Sequence, residues 1–345
     1  MSLHELCNNV NELLSLHIES FFGNGDTTFK EMIKYVLKGG KRIRPAISLD
    51  IYNSLCAKNG FSNNVFSTSF LATEYIHTSS LIIDDLPCMD NALTRRGNIC
   101  IHKRYGEAMA QLTSAVLMSM CIHAYSSDLE RVVNSGETSK TIASEITVYL
   151  VNRLSTIVHV TSQGQIIESI IDSSSERADS ERAHSERAHS ERAHSERAHS
   201  ERAHSERAHN DSERADIGEL LKYASEKVTV EEIIQKKTGT FFEMCFELAW
   251  ILGNRSLDGI HQIREVSIPL AMAFQIIDDI HDMTEDLQTD KKNVNGSYAL
   301  KYGKDKAIHD AHTYLDTFVD RLDKIGLSSP FFESLTMSLR SKLQL

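Results

Sequence analysis

Chain-breaking residues are scarce: 4 prolines and 16 glycines in 345 residues. That argues against a turn-rich all-β design and leaves room for long helices. Long hydrophobic runs are missing as well, since none approaches the roughly 20 apolar residues that cross a bilayer. The opening stretch MSLHELCNNVNELL has no basic start followed by an apolar block. It reads as a helix of the mature domain, without a secretory or organellar address, so the expected location is cytoplasmic. No CxxC pair occurs; the six cysteines, at 7, 56, 88, 100, 121 and 245, stand apart and read as reduced, packed thiols rather than zinc or disulfide partners. An excess of basic charge is also lacking. The net charge of −11 argues against nucleic-acid partners. Anions can then bind only where basic groups gather locally or a metal is recruited.

What the chain does have is apolar periodicity. In TFKEMIKYVLK, Phe29, Ile33, Val36 and Leu37 fall at helical spacing, and Gly39-Gly40 follows as a C-cap would. Residues 64–85 and 107–130 read as long, mostly buried helices. So do EITVYLVNRLSTIVHVTSQGQIIES, VEEIIQKKTGTFFEMCFELAWILG and IPLAMAFQIIDDIHDM. No alternating strand pattern occurs, so the predicted class is all-α, one domain over 1–345. A low-complexity insertion at about 172–215 interrupts it. There SERAD is followed by six copies of SERAH through His209. A five-residue step turns about 140° on an α-helix, so the copies build no apolar stripe and stack no imidazoles on one face. The expectation is a frayed, solvated helix or a disordered loop on the surface.

Two acidic clusters carry the chemistry. In SLIIDDLPCMD, Asp84, Asp85 and Asp90 emerge from an apolar run. Buried carboxylates need a counter-cation. Asp84 and Asp90 are six apart, about 240° on a straight helix, so Pro87 is expected to distort the helix and bring Asp90 round. In FQIIDDIHD, Gln275, Asp278, Asp279 and Asp282 share one helical stripe with apolar residues on both sides. Carboxylates converging from two walls, without a Cys/His set, favour Mg²⁺ over zinc. Mg²⁺ in turn usually brings phosphates. Basic groups near apolar helices suit a second polyanion: Lys41, Arg42 and Arg44 in GGKRIRP, Arg95 and Arg96 in RRG, and Lys237 in KKTG.

With these motifs in this order (GGKRIRP, EYIHTSSLIIDDLPCMD…RRG, GQ, KTG and FQIIDDIHD), the sequence resembles the trans-isoprenyl diphosphate synthases. The likeness covers nearly the whole chain outside the insertion and is strongest to short-chain geranylgeranyl and farnesyl diphosphate synthases with a DDxxxxD first motif. It implies an isoprenoid synthase-type helical bundle around a deep central cavity, usually a homodimer. It also implies Mg²⁺-dependent condensation of isopentenyl diphosphate with dimethylallyl, geranyl or farnesyl diphosphate, with about three ions per site. Carried over by position, Asp84, Asp85 and Asp90 would bind Mg²⁺ at the allylic diphosphate. Asp278 would hold the third ion, supported by Asp279 and Asp282. Lys41, Arg44, His77 and Arg96 would bind isopentenyl diphosphate, and Arg95 the allylic diphosphate. Lys237, Thr238 and Gln275 would line the reacting centre, with Lys292 reaching the leaving group.

The chain departs from the family pattern at Ile83, where histidine is common, at Asn91 to Thr94, where further aspartates often stand, and at Glu168, usually aspartate. None is a primary ligand. The resemblance makes geranylgeranyl diphosphate the expected product, with a farnesyl diphosphate synthase or a noncatalytic regulatory subunit as alternatives; a terpene cyclase would not need Lys41, Arg44 and Arg96. Ser79 and Ser80 lie just upstream of Asp84, where bulky aromatics in the family stop growth at fifteen carbons, and two serines leave that floor open. Residues Met118 to Tyr125 are then the expected deeper stop. The insertion offers the first test. Deleting Ser180 to His209 removes six whole pentapeptides with no apolar face, so the melting temperature is expected to shift by no more than about 2 °C. A larger loss in a thermal melt would make the segment part of the fold.

Overall fold

The computed structural model describes residues 3–62, 68–191, 228–286 and 297–344; side chains at 171–191 and 284–286 are outside that description. Helices α1 (Leu3–Phe22), α2 (Thr27–Leu37) and α3 (Ile43–Asn59) lead through a 3-10 turn (Ser69–Leu71) into α4 (Ala72–Asp84). A hairpin of two-residue strands, β1 (Thr94–Arg95) and β2 (Asn98–Ile99), precedes α5 (Ile101–Tyr105), α6 (Glu107–Asn134) and α7 (Lys140–Glu191). Then come α8 (Val230–Ile234), α9 (Thr240–Asn254), α10 (Ile260–Asp286), α11 (Tyr298–Tyr302), α12 (Lys304–Lys324) and α13 (Pro330–Ser341). The expected all-α class is what forms, apart from that hairpin, which no alternating pattern announced because two residues per strand are too few to alternate.

Helix α9 is the centre. Its sequence TFFEMCFELAWILGN is apolar except for the face that carries Glu243 and Glu247, and such a helix is stable only when surrounded. It packs against α3, α4, α7 and α10, and Phe242, Phe246, Leu252 and Ile251 are fully buried. Close approach to α3 depends on Gly253, where an added Cβ would strike Leu55. Helix α10 lies between α9 and α12. Its internal Pro269 cannot donate to the carbonyl of Glu265, and the guanidinium of Arg321 donates to that carbonyl instead. At the start of α4, Asp128 from α6 accepts from the backbone N–H and hydroxyl groups of both Thr68 and Ser69. That carboxylate satisfies orphan donors of the turn and fixes where α4 begins.

Two expectations about helix ends need correction. Pro87 does not distort a continuing helix: α4 stops at Asp84, and the chain turns back so that Asp90 N–H donates to Asp84 C=O at 2.9 Å. The segment read as one helix from VEEII onward carries a π-turn at Gln235–Gly239, between α8 and α9. Of the insertion, the described part continues α7 without a break as far as Glu191, and the remaining copies lie outside the described residues.

Candidate active site

An apolar cavity of about 590 Å³ runs between α4, α6, α7 and the start of α9. That is an ordinary size for a ligand cavity. Asp84 and Met89 stand at one end; Ser79, Ser80, Ser114 and Met118 line one wall, and Ile157, Thr161 and Gln165 line the α7 wall. Ser79 is tied across to Ser114 Oγ at 2.7 Å, whereas Ser80 donates to the His77 carbonyl of its own helix at 2.9 Å. Both serines face the cavity, and Tyr125 does not line it.

The first acidic motif caps α4, where the helix dipole already presents its negative end. Burial, together with the Asp90 and Glu168 carboxylates, pushes the Asp84 carboxyl up to about 6 despite Lys237 and Arg95 nearby. Burial raises Asp90 as well. Asp85 behaves otherwise. It accepts from Arg95 Nε at 2.9 Å and Nη2 at 2.5 Å, and its second oxygen accepts from the Cys100 thiol at 3.3 Å. The hairpin brings Arg95 there. Its two-residue loop is Arg96-Gly97, both at positive φ (53° and 75°), which is the type I′ geometry that matches strand twist and requires residues such as glycine. Thus RRG is a turn as well as a pair of cations.

The second motif divides likewise. Asp279 is fully engaged: Gln275 Nε2 donates to one oxygen at 2.8 Å and Tyr298 N–H to the other at 2.7 Å. Thr238 Oγ1 donates to Gln275 Oε1 at 2.6 Å, which joins the π-turn to this chain. Burial pushes Asp279 up to about 6. Asp278, one residue earlier, is half-buried, raised by burial, and faces Lys41, Lys342 and Arg44. Asp282 is exposed. Lys292 falls outside the described residues. Among the described residues, no three acidic, histidine or cysteine side chains stand close enough to enclose a metal ion by themselves.

The basic groups converge on a different wall. Glu74, 2 % exposed, holds Arg42 at 2.7 Å and Arg96 at 3.2 Å. Gly40 permits this, because a Cβ there would strike both guanidinium groups and the Glu74 carboxylate. Arg44 lies over the rings of Phe241, Phe242 and Phe274, 5.1–5.9 Å from their centroids. Beside them His77 is held far below its ordinary value by burial and by Arg44, Arg96 and Arg95, so it is neutral. Arg44 Nε and Arg96 Nη1 are buried with no acceptor. Lys41 is exposed at the edge. Lys237 pairs with Glu168; burial alone would lower it, and the Glu168 and Asp84 carboxylates outweigh that. Gly164 is what lets α7 approach the π-turn so closely, since a Cβ there would meet Lys237 Cγ and Lys236 Cβ.

Sequence reasoning missed Glu74, Cys100 and the π-turn. A lone acid in the otherwise uncharged stretch ATEYIHTSS was a usable signal for the first. The other two left none.

This bundle is the isoprenoid synthase fold. It matches a geranyltransferase from Legionella pneumophila with a TM-score of 0.66 at 22% identity, covering 99% of this chain and 98% of that one. A geranyltranstransferase from Thermotoga maritima gives 0.63 at 22%, over 99% and 98%. The chain belongs to the polyprenyl synthetase family, whose model matches residues 26–224 and 205–300. It is 29% identical to geranylgeranyl pyrophosphate synthase 3, chloroplastic, of Arabidopsis thaliana, over 75% of this chain and 56% of that protein. A chloroplastic geranylgeranyl pyrophosphate synthase of Catharanthus roseus is 28% identical over 75% and 56%. The chain thus spans about half the length of these relatives. No helix among the described residues is long and apolar enough to cross a membrane.

The raised carboxyls set a pH dependence. With the Asp84 pKa about 6 in the folded state against an ordinary value of about 3.9, the folded protein holds that proton more tightly than the unfolded chain. The ionised group therefore destabilises the fold increasingly as pH rises from about 4 to 6, and fully above 6. In metal-free protein, Asp84→Asn is expected to raise stability by about 1–3 kcal/mol at pH 7.5. The gain should vanish at pH 4, as read by thermal melts across that range. A variant no more stable than the parent at pH 7.5 would show Asp84 to be adequately neutralised.

Proposed function

We propose that the protein is a prenyltransferase that condenses isopentenyl diphosphate with an allylic diphosphate, and that geranylgeranyl diphosphate is its main product. The observation that carries the reading is the pair of buried guanidinium nitrogens without acceptors, Arg44 Nε and Arg96 Nη1, at the wall opposite raised, incompletely neutralised carboxylates. The guanidinium nitrogens lack acceptors, and the carboxylates stay raised despite the cations near them. A diphosphate with divalent metal answers both.

The donors present fit Mg²⁺. They are all hard oxygens, none of the sets encloses an ion alone, and such sites are completed by phosphates. Asp84 and Asp90 on one wall and Asp278, with Asp282, on the other are the groups that would hold it. Asp85 and Asp279 position the hairpin and Tyr298 rather than serve as ligands. Bound there, Mg²⁺ would supply charge neutralisation of the departing diphosphate. Lys237 and Arg95 add fixed positive charge where the allylic C–O bond breaks and its electron pair leaves with the diphosphate. Lys41, Arg44 and Arg96 would hold isopentenyl diphosphate, whose double bond attacks the allylic cation. The released diphosphate takes the final proton. Neutral His77 and Phe241 beside this point, with the apolar cavity below, keep water from the cation.

Length supports the product. Along α7, Glu168 at the mouth and Ile157 at the cavity's end are eleven residues apart, about 16 Å at 1.5 Å per residue. An extended isoprenyl unit has four main-chain bonds of about 1.5 Å and spans about 5 Å. A three-unit farnesyl tail therefore fits, and adding isopentenyl diphosphate to it gives the twenty-carbon product. Radiolabelled isopentenyl diphosphate with each allylic primer and Mg²⁺ tests the reading, with products resolved by length. Twenty-carbon product is expected; no condensation with any primer would sink it.

In that assay Asp84→Ala and Asp278→Ala are each expected to cut turnover at least about 10²–10³-fold while circular dichroism shows an intact fold. Undiminished turnover in either would remove that residue from the metal site. Ser80→Phe is the cleaner ruler variant, because Ser79 is bonded to Ser114. It should move the main product from twenty to fifteen carbons. An unchanged distribution would mean the tail does not pass Ser80.

A further inference from the structure

Beyond the main cavity lies a second, smaller void of about 10 Å³, lined by Tyr125, Leu154, Met244, Arg153 and Glu247. It has room for about one water molecule. Ile157, fully buried, lines both voids and is the partition between them. The far side of the lower void is charged. Arg153 Nε donates to Glu247 Oε2 at 2.6 Å and Nη2 to Glu243 Oε2 at 2.5 Å, and Arg264 donates to the other Glu247 oxygen. Glu247 is 1 % exposed. The network ties α7, α9 and α10 together.

We propose that the Arg153–Glu247 ion pair is the terminal stop of the prenyl cavity, a specificity-determining pair that limits product length by charge rather than by bulk. The proposal rests on the prenyltransferase reading. An apolar side chain at the end of a cavity can rotate or be displaced by an arriving tail. This pair cannot be parted without taking a partner from buried Glu247 and loosening three helices, so the tail gains burial only at the expense of a poorly paired ion. Arg153 is fifteen residues from Glu168, about 22 Å along α7. That leaves space for roughly one more isoprenyl unit once Ile157 is out of the way, before the tail meets the ion pair.

The test compares the parent with Ile157→Ala, Ile157→Ala/Arg153→Met and Ile157→Ala/Arg153→Lys, under excess labelled isopentenyl diphosphate. Ile157→Ala should lengthen the longest product by one isoprenyl unit only. Adding Arg153→Met, which leaves Glu247 with Arg264, should lengthen it by two units or more, and Arg153→Lys should restore the one-unit limit. Thermal melts check that each variant folds, with Arg153→Gln used if the methionine variant does not. A second arm needs no turnover: n-alkyl bisphosphonates of increasing length, titrated with Mg²⁺ into the same proteins. Affinity should rise about four-fold per methylene up to a break. That break should move out by about four carbons, the main-chain length of one isoprenyl unit, in Ile157→Ala and further in the Arg153→Met double variant. Products longer by two units from Ile157→Ala alone, or a break that Arg153→Met leaves in place, would overturn the charged stop. A parent that makes no product but shows the break would overturn the prenyltransferase reading and leave the stop standing.

Discussion

Opposite charges gather near the mouth of one apolar cavity and only partly neutralise each other. Left free, neighbouring arginines and aspartates would pair, as Arg95 and Asp85 do. Each is restrained by a partner of its own. Glu74 holds Arg42 and Arg96, three phenyl rings hold Arg44, Arg95 and Cys100 hold Asp85, and Gln275 with Tyr298 holds Asp279. What remains incompletely neutralised is half-buried Asp84 and Asp278, with exposed Asp90, on one side and single buried guanidinium nitrogens on the other. Keeping charges buried and unpaired costs stability. Much of the fold's local geometry follows from that restraint, including the left-handed backbone at Arg42 and Arg96 (φ 57° and 53°) and the bare Cα of Gly40.

The fold was legible where burial writes a period into the sequence. Helix α9 is apolar on all but the Glu243–Glu247 face and is central; α10 carries its acids among isoleucines and packs against it. Ends were less legible. Pro87 could either bend α4 or end it, and the choice was made by the backbone bond from Asp90 to Asp84, a contact across six residues that no periodicity encodes. The π-turn was hidden for a similar reason. An extra residue in a helical turn leaves the apolar pattern nearly intact, yet it re-aims Lys237 at Glu168 and Thr238 at Gln275. Such turns gather at functional sites because they redirect side chains without ending the helix.

Of the site, the residue types were readable and the division of labour was not. Three aspartates and the stripe rule place Asp278, Asp279 and Gln275 on neighbouring positions, but only the fold shows Asp279 turned to Tyr298 while Asp278 faces Lys41 and Arg44. Arg42 looked equivalent to Arg44 in GGKRIRP; one is a strut on Glu74 and the other a cation over aromatic rings. Ser80 bonds to its own helix and also takes a place on the cavity wall. The two are compatible, because a serine that satisfies its hydroxyl locally presents little more than a methylene to an apolar ligand.

Helix α7 explains how one element can measure a ligand. Arg153, Ile157, Thr161, Gln165 and Glu168 follow one another along nearly one face, from the buried ion pair to the cavity mouth. Both ends are anchored: Arg153 to α9, and Glu168 to Lys237 in the π-turn. Gly164 lets the backbone approach that turn. A helix fixed at two points about 22 Å apart cannot slide or rotate without breaking an ion pair. The spacing between the charged mouth and the charged floor is therefore set by the covalent rise of the helix rather than by the packing of side chains. The helix then runs on past the wall to Glu191, so the pentapeptide insertion begins beyond the second anchor, where added length leaves the distance between the two ion pairs unchanged.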